Sequence, residues 1–161
     1  MSKIKIAIPS DEDELVSLIK IKTEEDGIAP FDEERTRFTV RRGLIPGETH
    51  RQAIIGIIRG PREIEASIGL YMSGWWFSST PHLSDLWAFV APNYRRSEHA
   101  KSLLEFSKWA SSTLNTPLLM HEIINAKTAN KVKLIERKLG PQGGALFYYD
   151  PKIEPSAQKV A

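Results

Sequence analysis

A chain of 161 residues with 41% hydrophobic and 26% charged side chains is long enough to bury a continuous core, and is neither disordered nor fibrous in composition. Lys and Arg number 22 against 20 Asp and Glu, a formal net charge of +2, which is too near balance to favour nucleic acid as a partner. There is no cysteine, hence no disulfide, thiolate metal ligand or cysteine nucleophile. No apolar run approaches the roughly 20 residues of a bilayer span, and the first residues lack a secretory-type apolar segment, so a cytoplasmic protein without a membrane partner is expected.

Ile4-Lys5-Ile6-Ala7-Ile8 alternates with period two and predicts a first strand, ended by Pro9-Ser10. Ser10 with Asp13 approximates a capping box, and Asp11, Glu12, Asp13 and Glu14 suit a helix N-terminus. Leu15, Leu18 and Ile19 then form an apolar stripe, with Gly27 as the stop. A second helix is expected after Asp32, carrying Phe38 inward and ending near Gly43. Its Arg35, Arg37, Arg41 and Arg42 mark an exposed segment near a cleft. Pro46-Gly47 signals a turn. Two β-branched runs, 53–58 and 64–72, flank Gly60-Pro61-Arg62-Glu63 and read as an antiparallel hairpin. Trp75-Trp76-Phe77 could line a substrate pocket or cap the open end of a sheet.

A further strand, Leu86-Trp87-Ala88-Phe89-Val90, runs into a loop and then a helix whose Ala100, Leu103, Leu104, Ser107 and Ala110 recur at helical spacing, ending near Leu114-Asn115. Residues 117–124 predict another strand. Thr128 can cap a last helix with Val132, Ile135 and Leu139 inward and Gly140 closing it. The basic residues Lys127, Lys131, Lys133, Arg137 and Lys138 of that region read as a solvated helix face. Residues 145–149 predict the final strand. The order specifies an α/β (α+β) fold, a mixed and largely antiparallel sheet with helices packed on both faces. Residues 1–150 read as one domain and 151–161 as a polar tail.

The chemistry concentrates between Leu83 and Ala110. A strand entering a cationic small-residue loop and then a helix N-terminus builds an anion site, because the first backbone N–H groups have no internal partner and the aligned peptide dipoles leave positive charge there. The run Val90-Ala91-Pro92-Asn93-Tyr94-Arg95 and the helix after it resemble the acetyl-CoA site of GNAT-type N-acetyltransferases. That family grips the CoA pyrophosphate with a loop of pattern Gln/Arg-x-x-Gly-x-Gly/Ala. Arg95 and Ala100 match its ends, and Glu98 stands in place of the middle glycine. The resemblance extends from Ile4 to Tyr149. It includes Asn125 and Leu139-Gly140, with Pro141 where the family has phenylalanine, and with Ile135 and Glu136 where its acid tyrosine would stand.

The resemblance implies acetyl transfer from acetyl-CoA, as co-substrate, to a primary amine by direct attack in a ternary complex, with no metal, and implies a homodimer. It assigns the amides of Phe89 and Val90 to pantetheine and oxyanion, and Arg95, Arg96, Ser97, Glu98, His99, Ala100, Lys101 and Asn125 to the cofactor. Asp85, early in the strand leading to Val90, and Glu122, in the neighbouring strand beside His121, are the candidate bases. Each has a plainer role available: Asp85 as a turn or strand-edge residue beside Ser84, Glu122 in a salt bridge. The second reading, motivated by Glu98 and the missing tyrosine, is a non-catalytic binding or assembly module on the same fold.

Overall fold

The computed structural model describes residues 4–45, 53–122 and 129–142. The Pro46-Gly47 turn, Asn125, the Thr128 cap, the 145–149 strand and the 151–161 tail lie outside them. The chain divides into two compact units, Met1–His121 and Glu122–Ala161.

In the first unit, strand β1 covers Lys5–Ile6, shorter than its alternation suggested, with one further bond from Ala7 N–H to Ile55 O at 2.9 Å. Pro9–Asp11 forms a 3-10 turn in which Asp11, rather than Ser10, receives a backbone amide, that of Ile8 at 2.8 Å. Helix α1, Glu12–Asp26, ends where Gly27 adopts φ 65°, a left-handed conformation that costs glycine little. Helix α2, Glu33–Leu44, is capped by the Asp32 carboxylate, which accepts from Arg35 N–H at 2.9 Å. Its inward face carries Val40, Gly43 and Leu44. Phe38 is 63% exposed, contrary to expectation: it stands about 200° around the helix from Val40. Its ring lies under the Arg42 guanidinium, 5.8 Å from centroid to Cζ.

Strands β2 (Ala53–Arg59), β3 (Ile64–Trp75), β4 (Ser78–Val90) and β5 (Leu118–Leu119) complete a sheet of order β1-β2-β3-β4-β5. All neighbours are antiparallel except β4 and β5, which are joined through helix α3 (His99–Leu114) and run parallel. This is the mixed, largely antiparallel sheet the sequence specified. The aromatic run lies at the β3–β4 hairpin tip. Trp75 packs on His82, 4.5 Å between centroids, while Trp76 is 95% and Phe77 66% exposed, so the tip of the hairpin faces solvent.

One face of the sheet buries Leu15, Val16 and Leu18 of α1 and Val40 and Leu44 of α2 against Ile55, Ile57, Trp87 and Phe89. The other buries Leu103, Phe106 and Ala110 of α3 against Ile58, Ile68, Leu70, Leu83 and Ala88. In β4 the register passes from Leu70↔Asp85 to Gly69↔Trp87, leaving Leu86 unopposed as a bulge. Strict alternation would put Leu83 and Trp87 on one face, yet they lie in opposite cores because the bulge inverts the phase. Trp87 then lies over Gly69, and its indole N–H donates to the buried Ser67 hydroxyl at 3.2 Å.

In the second unit, helix α4 spans Ala129–Leu139, and Gly140 closes it at φ 111°. Val132 and Ile135 are half-buried. No described helix is long and apolar enough to cross a membrane.

A cluster of ion pairs ties the start of α1 to α2. Glu12 accepts from Arg41 at 2.9 Å and from Arg37 at 3.0 Å, and Arg37 also reaches Asp13 at 2.6 Å. The Arg41 hydrogen bond, with a smaller share from Arg37, outweighs partial burial and holds the Glu12 carboxyl below its ordinary 4.5.

A Cβ added at Gly69 would stand 2.7 Å from the Trp87 ring. Gly69→Ala should therefore destabilise the fold by about 1–3 kcal/mol, with Tm falling about 2–4 °C per kcal/mol in a thermal melt. An unchanged Tm would show that the indole moves aside freely. The Glu12 contact predicts a pH signature of known sign. Because the carboxyl is depressed in the folded state, its stabilisation is complete above pH 4.5 and disappears as pH falls through the folded value. Arg41→Gln should lower stability slightly at pH 7 and much less at pH 3 by urea unfolding. An equal deficit at both pH values would contradict the assignment.

Candidate functional site

The candidate site follows β4 toward α3. The amide of Ala91 donates to Glu65 O at 2.9 Å, bonding it to β3. In an antiparallel ladder, successive residues direct their polar groups to opposite edges. Val90 therefore turns its N–H and C=O to the edge away from β3, whereas Phe89 turns its amide toward β3. Of the two amides assigned from the sequence, only that of Val90 faces the right way. Phe89 contributes its ring, over which the Arg95 guanidinium lies at 5.5 Å.

On that same edge, the pairing of β4 with β5 among the described residues covers only Leu83↔Leu118 and Ser84↔Leu119. Beyond it no further rung is made among the described residues. His121 N–H donates instead to the Asp85 carboxylate, at 2.8 Å from Oδ1, and His121 Nδ1 lies 3.1 Å from the same oxygen. Asp85 is thus a buried residue with its side chain 4% exposed, while the His121 side chain is 65% exposed. Ser84 Oγ lies 3.3 Å from His121 Nδ1. Asp85 as placed does not face solvent as a direct base would.

The loop between β4 and α3 separates anchoring residues from exposed ones. Pro92–Tyr94 forms a 3-10 turn, and Tyr94 donates its hydroxyl to Glu63 at 2.9 Å, which raises its phenol above the ordinary value. Ser97 Oγ donates to Tyr94 O at 2.6 Å and accepts from His99 N–H at 3.2 Å, fixing the turn into the helix. His99, placed by the resemblance among the cofactor residues, has its side chain buried, with Nε2 2.6 Å from Glu65 of β3. Arg95 pairs with Glu25 in the last turn of α1 and reaches Val90 O at 3.4 Å. Tyr94, Arg95, Ser97 and His99 together hold the loop.

Arg96, Glu98 and Lys101 remain exposed. Glu98 occupies the N-cap of α3 at φ −78°, a conformation open to any residue, and its side chain is 70% exposed and 3.1 Å from the Lys101 ammonium. The glycine of the family pattern is not required by the backbone here. The amides of Ala100 and Lys101, in the first turn, have no acceptor four residues back within the helix. The loop therefore presents two cations and a helix N-terminus, with one carboxylate turned toward Lys101.

Glu122, the other candidate base, belongs to the second unit, where its carboxylate pairs with Lys131. Asn125 lies outside the described residues. Sequence reasoning missed Glu25, Glu63, Glu65 and His121. The first three are distant in the chain from the loop they hold, and no spacing signals them. The adjacency of His121 to Glu122 was visible, but its pairing with Asp85 depends on the β4–β5 register.

No family model matches the chain, and no curated protein matches it. Solved structures do. A protein of Clostridium acetobutylicum described as a predicted acetyltransferase, solved with acetyl-CoA, superposes with TM-score 0.71 at 15% identity, covering 92% of this chain and 95% of its own. An aminoglycoside acetyltransferase from an uncultured soil metagenomic sample, in complex with sisomicin, gives 0.65 at 14% identity over 92% and 95%. A ribosomal-protein-alanine N-acetyltransferase from Brucella melitensis biovar Abortus 2308 gives 0.64 at 13% identity over 92% and 99%. At such identities the likeness establishes the fold.

Proposed function

We propose that this chain, which has the GNAT-like fold of those acetyltransferases, is a divergent member of the superfamily that transfers the acetyl group of acetyl-CoA to a primary amine. The observation that carries the reading is a coincidence on one strand edge. Where β5 leaves β4 among the described residues, the edge of β4 continues past the outward amide of Val90 into a cationic loop and the N-terminus of α3. Pantetheine would pair with that edge. Arg96, Lys101 and the first-turn amides of α3 would take the pyrophosphate, whose charge suits both the cations and the helix dipole. An outward amide of β4 would donate to the oxyanion formed as the amine attacks the thioester, and holding both reactants on one rigid strand supplies much of the acceleration. Such neighbours include a protein solved with the aminoglycoside sisomicin and one named for a ribosomal-protein alanine, so the acceptor here is assigned to the class of amines. A homodimer and a cytoplasmic location complete the reading.

The non-catalytic module draws on two observations: Arg95 is already paired with Glu25, and Glu98 brings a carboxylate into the loop. Calorimetric titration with acetyl-CoA and thermal melts separate the readings. At a hundredfold excess over Kd, a ligand specific for the folded state adds about 2.7 kcal/mol, or about 5–10 °C in Tm. Neither heat nor shift at millimolar acetyl-CoA would sink the enzyme reading, and binding without turnover of any amine would favour the module.

Glu98→Gln removes the carboxylate and releases Lys101. Because the side chain is largely solvated, the gain should be small, a two- to fivefold tightening of acetyl-CoA binding that shrinks as ionic strength rises. A weakened affinity would mean that Glu98 holds Lys101 where the pyrophosphate needs it.

A further inference from the structure

We propose that His121 is the general base of the acetyl transfer and that Asp85 is its positioning residue, an inference that rests on the acetyltransferase reading above. The two side chains form a carboxylate–imidazole pair of unequal exposure. The Asp85 carboxylate is buried and directs Oδ1 at both the backbone N–H and Nδ1 of His121, at 2.8 and 3.1 Å. A carboxylate only accepts, so Nδ1 carries the proton and Nε2 holds the lone pair. Two bonds to a single oxygen fix both the backbone and the ring of His121. Ser84 Oγ, 3.3 Å from Nδ1, adds a third contact on the same side of the ring. Asp85 is the charged group in contact with the imidazole among the described residues. The rest of the ring faces outward, with the side chain 65% exposed.

Placement selects this pair over the other imidazole–carboxylate pair among the described residues. His99 and Glu65 are both largely buried and anchor the loop, so neither can meet an incoming amine. The His121–Asp85 pair stands where β5 parts from β4, next to the bulge at Leu86. Between the rungs Leu70↔Asp85 and Ala66↔Val90 the unbulged partner strand advances four residues, about 13 Å at the ordinary rise per residue. A cofactor gripped at the loop beyond Val90 and lying along this edge would bring its thioester beside His121.

The proton balance is simple. His121 Nε2 takes a proton from the substrate ammonium, leaving a neutral amine whose lone pair forms the C–N bond as the carbonyl π pair moves to oxygen. Collapse of the tetrahedral species breaks the C–S bond. The CoA thiolate takes the remaining excess proton from nitrogen, and the imidazolium returns its own to solvent. The net products are the amide, CoA thiol and one proton.

The test uses the full chain with two readouts. In steady state with a reactive amine, His121→Gln should lower kcat about 10²–10³-fold, leave acetyl-CoA affinity within twofold, and abolish the acidic limb of the pH–rate profile. Asp85→Asn should lower kcat less, and Asp85→Glu should restore part of it. Free imidazole should rescue His121→Ala. The second readout needs no turnover: carbethoxylation of His121 by diethyl pyrocarbonate, followed by peptide mass spectrometry, should slow at least fivefold with saturating acetyl-CoA. An unchanged kcat and pH profile in His121→Gln, or equal labelling with and without bound acetyl-CoA, overturns the proposal while leaving the acetyltransferase reading intact. A wild-type chain that binds no acetyl-CoA overturns both.

Discussion

The bulge at Leu86 is the constraint on which the rest of the molecule depends. A single additional residue in β4 inverts the phase of the strand, so that Leu83 packs toward α3 while Trp87 packs toward α1 and α2. Both cores need that inversion. Without it, a one-residue slip would move every later side chain of β4 to the wrong face. The bulge also falls just after the last rung shared with β5, and a bulged strand bends and twists more strongly than a regular one. The same residue that lets β4 serve two cores thus helps to end its pairing, and the edge so exposed leads to the loop before α3.

That loop is held from beneath by acidic residues. Glu63 takes the Tyr94 hydroxyl, Glu65 the His99 imidazole, and Glu25 the Arg95 guanidinium. Of these, only His99 is buried; the Tyr94–Glu63 and Arg95–Glu25 contacts lie at the surface, and Arg96 and Lys101 are exposed cations not engaged in them. A loop built this way keeps its shape without relying on a bound anion, an arrangement that lowers the ordering penalty on binding.

Much of this was legible in the sequence where the signal is local. Gly27, Asp32 and Gly140 mark helix ends through conformational needs and caps that depend on neighbours in the chain, and each falls where expected. The order of strands and helices follows from periodicity. Signals that depend on partners far along the chain were not legible. Phe38 looked like a core residue by chemistry, yet its position around α2 turns it outward beside Arg42. His99 entered the candidate site through its backbone N–H, and nothing local signals that Glu65, on another strand, draws its imidazole inside. Asp85 was picked out by its place before the cofactor strand, whereas the imidazole it holds comes from the far side of α3. The run Trp75-Trp76-Phe77 was ambiguous for the opposite reason: its chemistry is strong, but a hairpin tip is defined by pairing that composition does not encode.

The topology also sets an order of assembly. Strands β2, β3 and β4 form a meander closed by short turns, so their ladders carry little loop-closure entropy. Strand β1 can join only after α1 and α2 fold back, since Lys5 pairs with Ile57, and β5 only after α3 has crossed the sheet. Contacts of that separation form late in folding and, with two residues in each strand, have little of the ladder to protect them. Native-state amide exchange should accordingly grade outward from the meander, slowest in β3 and fastest at the two margins. By the same reasoning the margin carrying His121 should open at lower free energy than the central strands.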